Sequence, residues 1–336
     1  MNRNLTLFSM HYSNREGWID WAKAIGILLV VMGHSEYSNP NVRPMIFMIH
    51  MPLFFVVSGY LFNAQKTLSN ITRSNIKGLL IPYVLYNLLF AAYWLMFGIF
   101  KVIMEQEYSW VNCLLTPGWH CVLGIALDNY DGPTWFLLAL IWCKYFAYFM
   151  YRGYWFLKVL LVIVWAILLY IRIETGVHYI YALDCACAGI IWFEIGQLLR
   201  IYKDKVHIPS FIYYVGIPIG FALCYYIMLN NGMCNYILAN VNGLCGIAGT
   251  ACGLVAFFSL CKLLERYNNS LIELVSKASI VIMCLHMMIN NPLNNLLHYW
   301  NHSFYTFSID CTVVLVLSSL YPFIQKNAPL FVGGRK

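Results

Sequence analysis

IDWAKAIGILLVVMGHS, residues 19–35, sets the reading of the whole chain. An unbroken apolar run, 24–33, stands between a lysine and a histidine, with no small-residue cleavage pattern after it, so it reads as a retained first membrane helix. Lys23 and His34 are 11 residues apart. At about 100° per residue this is three turns plus roughly 20°, which puts both on one helix face, about 16 Å apart along the axis. A polar face on an otherwise apolar helix has to look into a bundle, because an ionisable group facing lipid costs several kcal/mol.

Working outward, the same texture recurs along the chain. Of the 336 residues, 61% are hydrophobic and only 10% charged, with a mean hydropathy of +0.66. A soluble domain carries roughly 25% charged residues to face water, so most of this surface faces lipid. Spans are expected near 18–35, 45–62, 79–100, 133–150, 155–171, 179–199, 211–229, 236–261, 278–297 and 309–324. The fold class is therefore all-α: one polytopic bundle of about ten transmembrane helices covering 1–336, with no soluble domain. Its longest connection is an outer loop, 101–132. The apolar stretch 110–127 inside that loop holds Pro117, Gly118 and His120, and reads as a lid or re-entrant piece, with an extra span as the alternative. Glu105, Glu107, Asp128 and Asp131 in the same loop suit a carbohydrate platform or, equally, a solvated loop.

Charge placement tests the layout independently of hydropathy, since cytoplasmic segments of membrane proteins are enriched in Lys and Arg. With the N-terminus inside, Arg3, Arg15, Lys66, Arg73, Lys77, Lys144, Arg152, Lys158, Arg200, Lys203, Lys205, Lys262, Arg266, Lys277, Lys326, Arg335 and Lys336 are cytoplasmic: 17 of the 21 basic residues. Only Arg43, Lys101 and Arg172 fall outside. Both termini are thus expected in the cytoplasm. The net charge of +7 comes in small groups of this kind and in no long basic run, which argues against a nucleic-acid partner. The 12 cysteines form no C-x-x-C pair and read as small buried hydrophobes.

Candidate functional residues are the ionisable groups inside the spans: Asp20, Lys23, His34, His50, Asp184, Glu194, His286 and Asp310. Counting about 1.5 Å per residue puts His34, His50 and Asp184 in the outer half of the bilayer, with His286 nearer the middle. They converge on a polar pocket, and Lys23 marks a second polar level near the cytoplasmic side. The plainer reading of a lone histidine, above all His50, is a hydrogen bond to a neighbouring carbonyl. Asp20 reads as an interfacial cap that pairs with Lys23, and Glu194 and Asp310 as structural groups.

At these residues the chain resembles acyltransferase family 3 of bacterial membrane proteins, and most closely its fucose 4-O-acetylase-like branch. The first helix ends in His34. The stretch HMPLFFVVSGYLF, 50–62, carries the family's F-F-x-x-S-G signature at Phe54, Phe55, Ser58 and Gly59. Arg73, Lys77, Pro82 and Tyr83, then PTWFLLAL from Pro133 and SIVIMCLH ending at His286, follow in the family's order. Lys23 departs from the arginine common at that position, though the fucose acetylase-like branch tolerates lysine. The resemblance implies a multi-pass protein of the bacterial plasma (inner) membrane that moves an acyl group, usually acetyl, from a coenzyme A thioester to a sugar hydroxyl. The implied partners are acyl-CoA, membrane lipid, and a surface glycan or lipid-linked oligosaccharide acceptor. Acetyl-CoA would be a co-substrate, with no permanently bound cofactor and no metal. His34 would be the general base, with Lys23, His50 and Asp184 as the other catalytic candidates and a transient acyl-histidine as the mechanistic alternative. Lys66, Arg73, Lys77 and Ser58 would hold the donor. A transporter also uses polar groups in mid-membrane, but the chain shows no inverted repeat. A haem protein would need paired histidines, which His34, His50 and His286 could supply.

Overall fold

The computed structural model describes residues 16–35, 41–104, 115–125, 132–205, 208–238, 240–297 and 303–334. Apolar stretches of some 20 residues become helices because lipid leaves no other partner for backbone N–H and C=O groups. The elements are α1 (Gly17–Gly33), α2 (Arg43–Leu61), α3 (Leu68–Asn75), α4 (Ile81–Met104), α5 (Thr116–Leu123) and α6 (Trp135–Arg152). They continue with α7 (Trp155–Thr175), α8 (Leu183–Tyr202), α9 (Ser210–Asn231), α10 (Gly243–Leu264), α11 (Ser270–Leu297) and α12 (Ser303–Asn327). Among the described residues, nine helical stretches are long and apolar enough to cross a membrane. With its 17 residues α1 is about 25 Å long and lies at the centre, packed on α2, α10, α11 and α12. The protein is an all-α polytopic bundle.

Two expectations bear on the connections. First, within the 110–127 stretch Thr116–Leu123 forms a helix about 12 Å long, too short to cross by itself, while 110–114 and 126–127 lie outside the described residues. The short helix is tucked into the bundle: Tyr83 donates to the Cys121 carbonyl at 2.7 Å, and Ala182 N–H to the Gly124 carbonyl at 2.9 Å. Second, the third span starts at Leu68 and not at 79. A π-helical turn, Ile76–Leu80, joins α3 to α4 without a break, so Arg73 and Lys77 ride on the spanning helix itself. Lys66 alone remains in the connection before it. The acids expected on the outer loop, Glu105, Glu107, Asp128 and Asp131, lie outside the described residues.

The F-F-x-x-S-G signature turns out to be a packing device. A Cβ on Gly59 would stand 2.0 Å from the Phe193 carbonyl oxygen, and one on Gly196 would stand 2.1 Å from that of Val56. Phe55 lies against Gly189, and Phe54 against Gly26. Small residues thus let the backbones of α2 and α8 touch, which replaces the hydrophobic drive that lipid removes. At the end of α2, Gln197 donates to the Gly59 and Phe62 carbonyls, and Arg200 to Phe62 at 2.9 Å. Arg152 donates to the Ala64 and Gln65 carbonyls, and Lys203 pairs with Glu16 at 2.9 Å. The segments assigned to the cytoplasm by charge therefore meet at one end of the bundle. Helix α7 lies at the periphery, with Leu160, Val164 and Ile167 all about half exposed for contact with lipid.

Candidate active site

Three histidines from three helices come together at the C-terminal end of α1. His34 sits at the C-cap of α1, His50 seven residues into α2, and His286 sixteen residues into α11. The His34 and His286 rings are 5.0 Å apart between centroids and nearly perpendicular. Phe47 lies between the other pair, 6.2 Å from His34 and 5.3 Å from His50. His50 and His286 are buried, at 2% and 0% exposure, whereas His34 is half-buried at the rim.

Each ring is held the same way. The Nδ1 atoms of His34, His50 and His286 lie 2.8, 2.7 and 3.0 Å from the carbonyl oxygens of Val30, Ile46 and Ile282, each four residues earlier on its own helix. A neutral imidazole that donates from Nδ1 carries its lone pair on Nε2. The contact to a carbonyl is therefore no sign of an idle histidine: it fixes the tautomer and aims an acceptor nitrogen away from the helix. His286 Nε2 is buried and meets no partner in the protein. A set of positioned, proton-accepting nitrogens is what abstraction of a hydroxyl proton requires.

The rim holds two groups that sequence reading did not assign. Arg43 donates from Nε to the Gly33 carbonyl at 3.0 Å and lies 5.7 Å from the Phe47 ring centroid, so its guanidinium caps the end of α1 beside His34. Asn290 donates to the Val31 carbonyl at 3.3 Å. Arg43 had been counted only as an outer charge; its place ten residues after Gly33, at the start of the next helix, was the available signal.

The remaining candidates are dispersed. Asp184 is fully buried, but its carboxylate accepts from Arg172 at 3.0 Å and lies 2.8 Å from His178 Nδ1, a separate cluster at the start of α8. The bend there is strained, with Tyr181 and Ala182 at φ 55° and 51°. Lys23 is half-buried on α1, below His34 on the same helix. Asp20, in the first turn of α1, is buried and accepts from Ser276 of α11 at 2.7 Å, a tie between two helices. Ser58 is half-buried in the α2 signature. Arg73 and Lys77 line an open groove of 540 Å³ with Leu68, Ser69, Thr72 and Ile76, and Lys66 is exposed before it. Among the described residues no group of three or more His, Cys, Asp or Glu side chains is arranged to hold a metal ion.

The family model described as an acyltransferase domain matches residues 16–321. No curated protein and no solved structure matches the chain.

Proposed function

The chain belongs to acyltransferase family 3, and from that premise we propose that it acetylates a sugar hydroxyl of a surface polysaccharide or of its lipid-linked precursor, with acetyl-CoA as donor. The observation that carries the reading is the set of three imidazoles with Nδ1 tied to backbone carbonyls, which leaves His34 Nε2 as a base at the edge of a buried histidine cluster. His34 takes the hydroxyl proton as the sugar oxygen attacks the thioester carbonyl. The tetrahedral intermediate expels the coenzyme A thiolate, which takes the proton from His34, leaving an ester and a free thiol. Arg43 lies close enough to His34 to stabilise negative charge that develops there, and His50 and His286 hold the pocket polar. Lys23 and the Arg73–Lys77 groove face the donor from the cytoplasmic half, with Lys66 and Ser58 as further donor contacts. Asp184 has its own cationic partner, so its part in this reading is to shape the outer wall, and acceptor hydroxyls are its available ligands. Lys23, at a position where the fucose 4-O-acetylase-like branch tolerates lysine, supports that branch, and the host in this reading is a bacterial inner membrane.

The test is mass spectrometry of surface polysaccharide from a deletion strain complemented with wild type or His34→Ala. The expected outcome is loss of acetyl ester with His34→Ala at normal protein level, a fall of about 100-fold or more in acetyl transfer. Near-normal acetylation by a well-expressed His34→Ala protein would remove His34 from the mechanism.

A further inference from the structure

Asn75, the last residue of α3, is 1% exposed, and neither Nδ2 nor Oδ1 finds a hydrogen-bond partner in the protein. The other buried asparagines among the described residues are satisfied. Asn87 donates to the Tyr83 carbonyl at 2.9 Å and to Thr134 Oγ1 at 3.1 Å, and Asn290 donates to Val31. A buried primary amide with both ends unpaired costs stability at each end. Natural bundles retain such a group when something else completes it.

Three facts say what that is. The first is depth: Asn75 lies seven residues into the helix that begins at Leu68, about 10 Å in from the cytoplasmic end. Lys23 is six residues into α1 at a comparable level, and His34 is about 16 Å further out. The second is orientation: Asn75 shares the inward face of its helix with Ile71 and Leu79, both buried. The third is setting: Arg73 and Lys77, two residues to either side and so on the opposite, exposed face of the same helix, are cations on an open groove that Asn75 does not line, and the π-helical turn begins at the residue after Asn75. Single π turns inside α-helices recur at functional sites.

We propose that Asn75 is a positioning residue for the acyl donor, pairing its amide with a secondary amide of the pantetheine arm. This rests on the acyl-CoA reading above. The arm joins the nucleotide to the thioester and carries two secondary amides, each with one N–H and one C=O. To bring a thioester from the cytoplasmic side toward His34, those amides must leave water, and in an apolar interior each needs a partner. A primary amide offers a donor and an acceptor side by side, so Asn75 can meet one pantetheine amide at two points. The cations of the groove suit the phosphates at the other end of the donor.

Isothermal titration of the purified full-length protein in nanodiscs tests this, with two probes: acetyl-CoA, and the adenosine bisphosphate half of the donor that lacks the arm. Wild type, Asn75→Leu and Asn75→Ala are compared. The expected result is acetyl-CoA affinity weakened at least about tenfold in both variants, from two lost hydrogen bonds, with the bisphosphate probe unchanged and the melting temperature not lowered. Unchanged acetyl-CoA affinity in a more heat-stable Asn75→Leu protein would show a merely structural amide and overturn the proposal. So would equal weakening of both probes in both variants, which signals a disturbed helix. Absence of acetyl-CoA binding by wild type would instead remove the donor assignment itself, and Asn75's role with it.

Discussion

Single residues in this protein are defined by what surrounds their charge. Lys23 is the sharpest case, because an ammonium in the inner half of a bundle has two accounts. If it meets the thioester donor, Lys23→Arg keeps substantial activity while Lys23→Met, which preserves length and removes charge, loses nearly all of it and binds acetyl-CoA more weakly. If it only reaches along its stem toward the interface, Lys23→Met is nearly silent. Activity and donor affinity measured on the two variants side by side decide between them, and the first outcome is the expected one. Glu16, just before α1, gives a cleaner electrostatic prediction. Burial pushes its carboxyl up, but hydrogen bonds from Tyr60 at 2.6 Å, Lys203 and Trp18 outweigh that and hold it below the ordinary value. A carboxyl depressed in the folded state contributes stability above its unfolded value, and that contribution is lost as pH falls through the folded value. Melting of wild type is therefore expected to fall off on the acid side of the usual glutamate range, and Glu16→Gln to start lower near neutral pH and show a shallower acid decline.

Among the helices, the contact between α2 and α8 is the least forgiving. Gly59 and Gly196 are the points where one backbone lies against the other, and a methyl at Gly59 would sit 2.0 Å from a carbonyl oxygen that belongs to a rigid helix. Helices have to separate to admit it, which strips Gln197 and Arg200 of their carbonyl partners at the end of α2. Gly59→Ala is expected to cost about 1–3 kcal/mol from overpacking alone and to lower the melting temperature and the amount of inserted protein. Activity per folded molecule should fall much less than in His34→Ala. A Gly59→Ala protein as heat-stable as wild type would mean that the helices part without loss. The α3–α4 helix shows the converse, an element whose start was misplaced for a physical reason. Residues 68–78 contain Arg73 and Lys77 among Ser, Thr and Asn, so hydropathy assigns them to a loop. The Thr67 side chain, which caps the helix by accepting from Asn70 N–H, and a π turn carry the backbone straight through, and a side-chain hydrogen bond from Tyr145 to Thr72 at 3.0 Å seats the polar turn on α6.

Across the whole molecule, the alternation of charge makes a topology prediction. Reporters fused after 66, 150, 205, 265 or 334 are expected in the cytoplasm, and those near 40, 120, 175, 232 or 303 outside. One inverted pair within the first five spans would break the charge argument and move His34 to the opposite leaflet.

Fold class and the order of the spans were legible from the chain itself, and the charge pattern makes a definite expectation of which end is cytoplasmic, because all three follow from one-dimensional quantities. About 20 apolar residues are needed to cross lipid, and Lys and Arg mark the inner loops. The relation between His34 and Lys23 on α1 was legible too, since an 11-residue spacing on one helix fixes a shared face without knowledge of any neighbour. What only the tertiary structure decided is which groups meet across helices. Asp184 shares the outer half with His34 by depth, yet its ions are Arg172 and His178. Arg43 and Asn290 join the histidine site, and Asn75 faces inward unpaired. Depth along a helix is set by residue count, but which neighbour a side chain reaches depends on the rotation and packing of each helix against the others. Here those are fixed by glycines at backbone contacts such as Gly59 and Gly196, whose consequence appears only once the partner helix is in place.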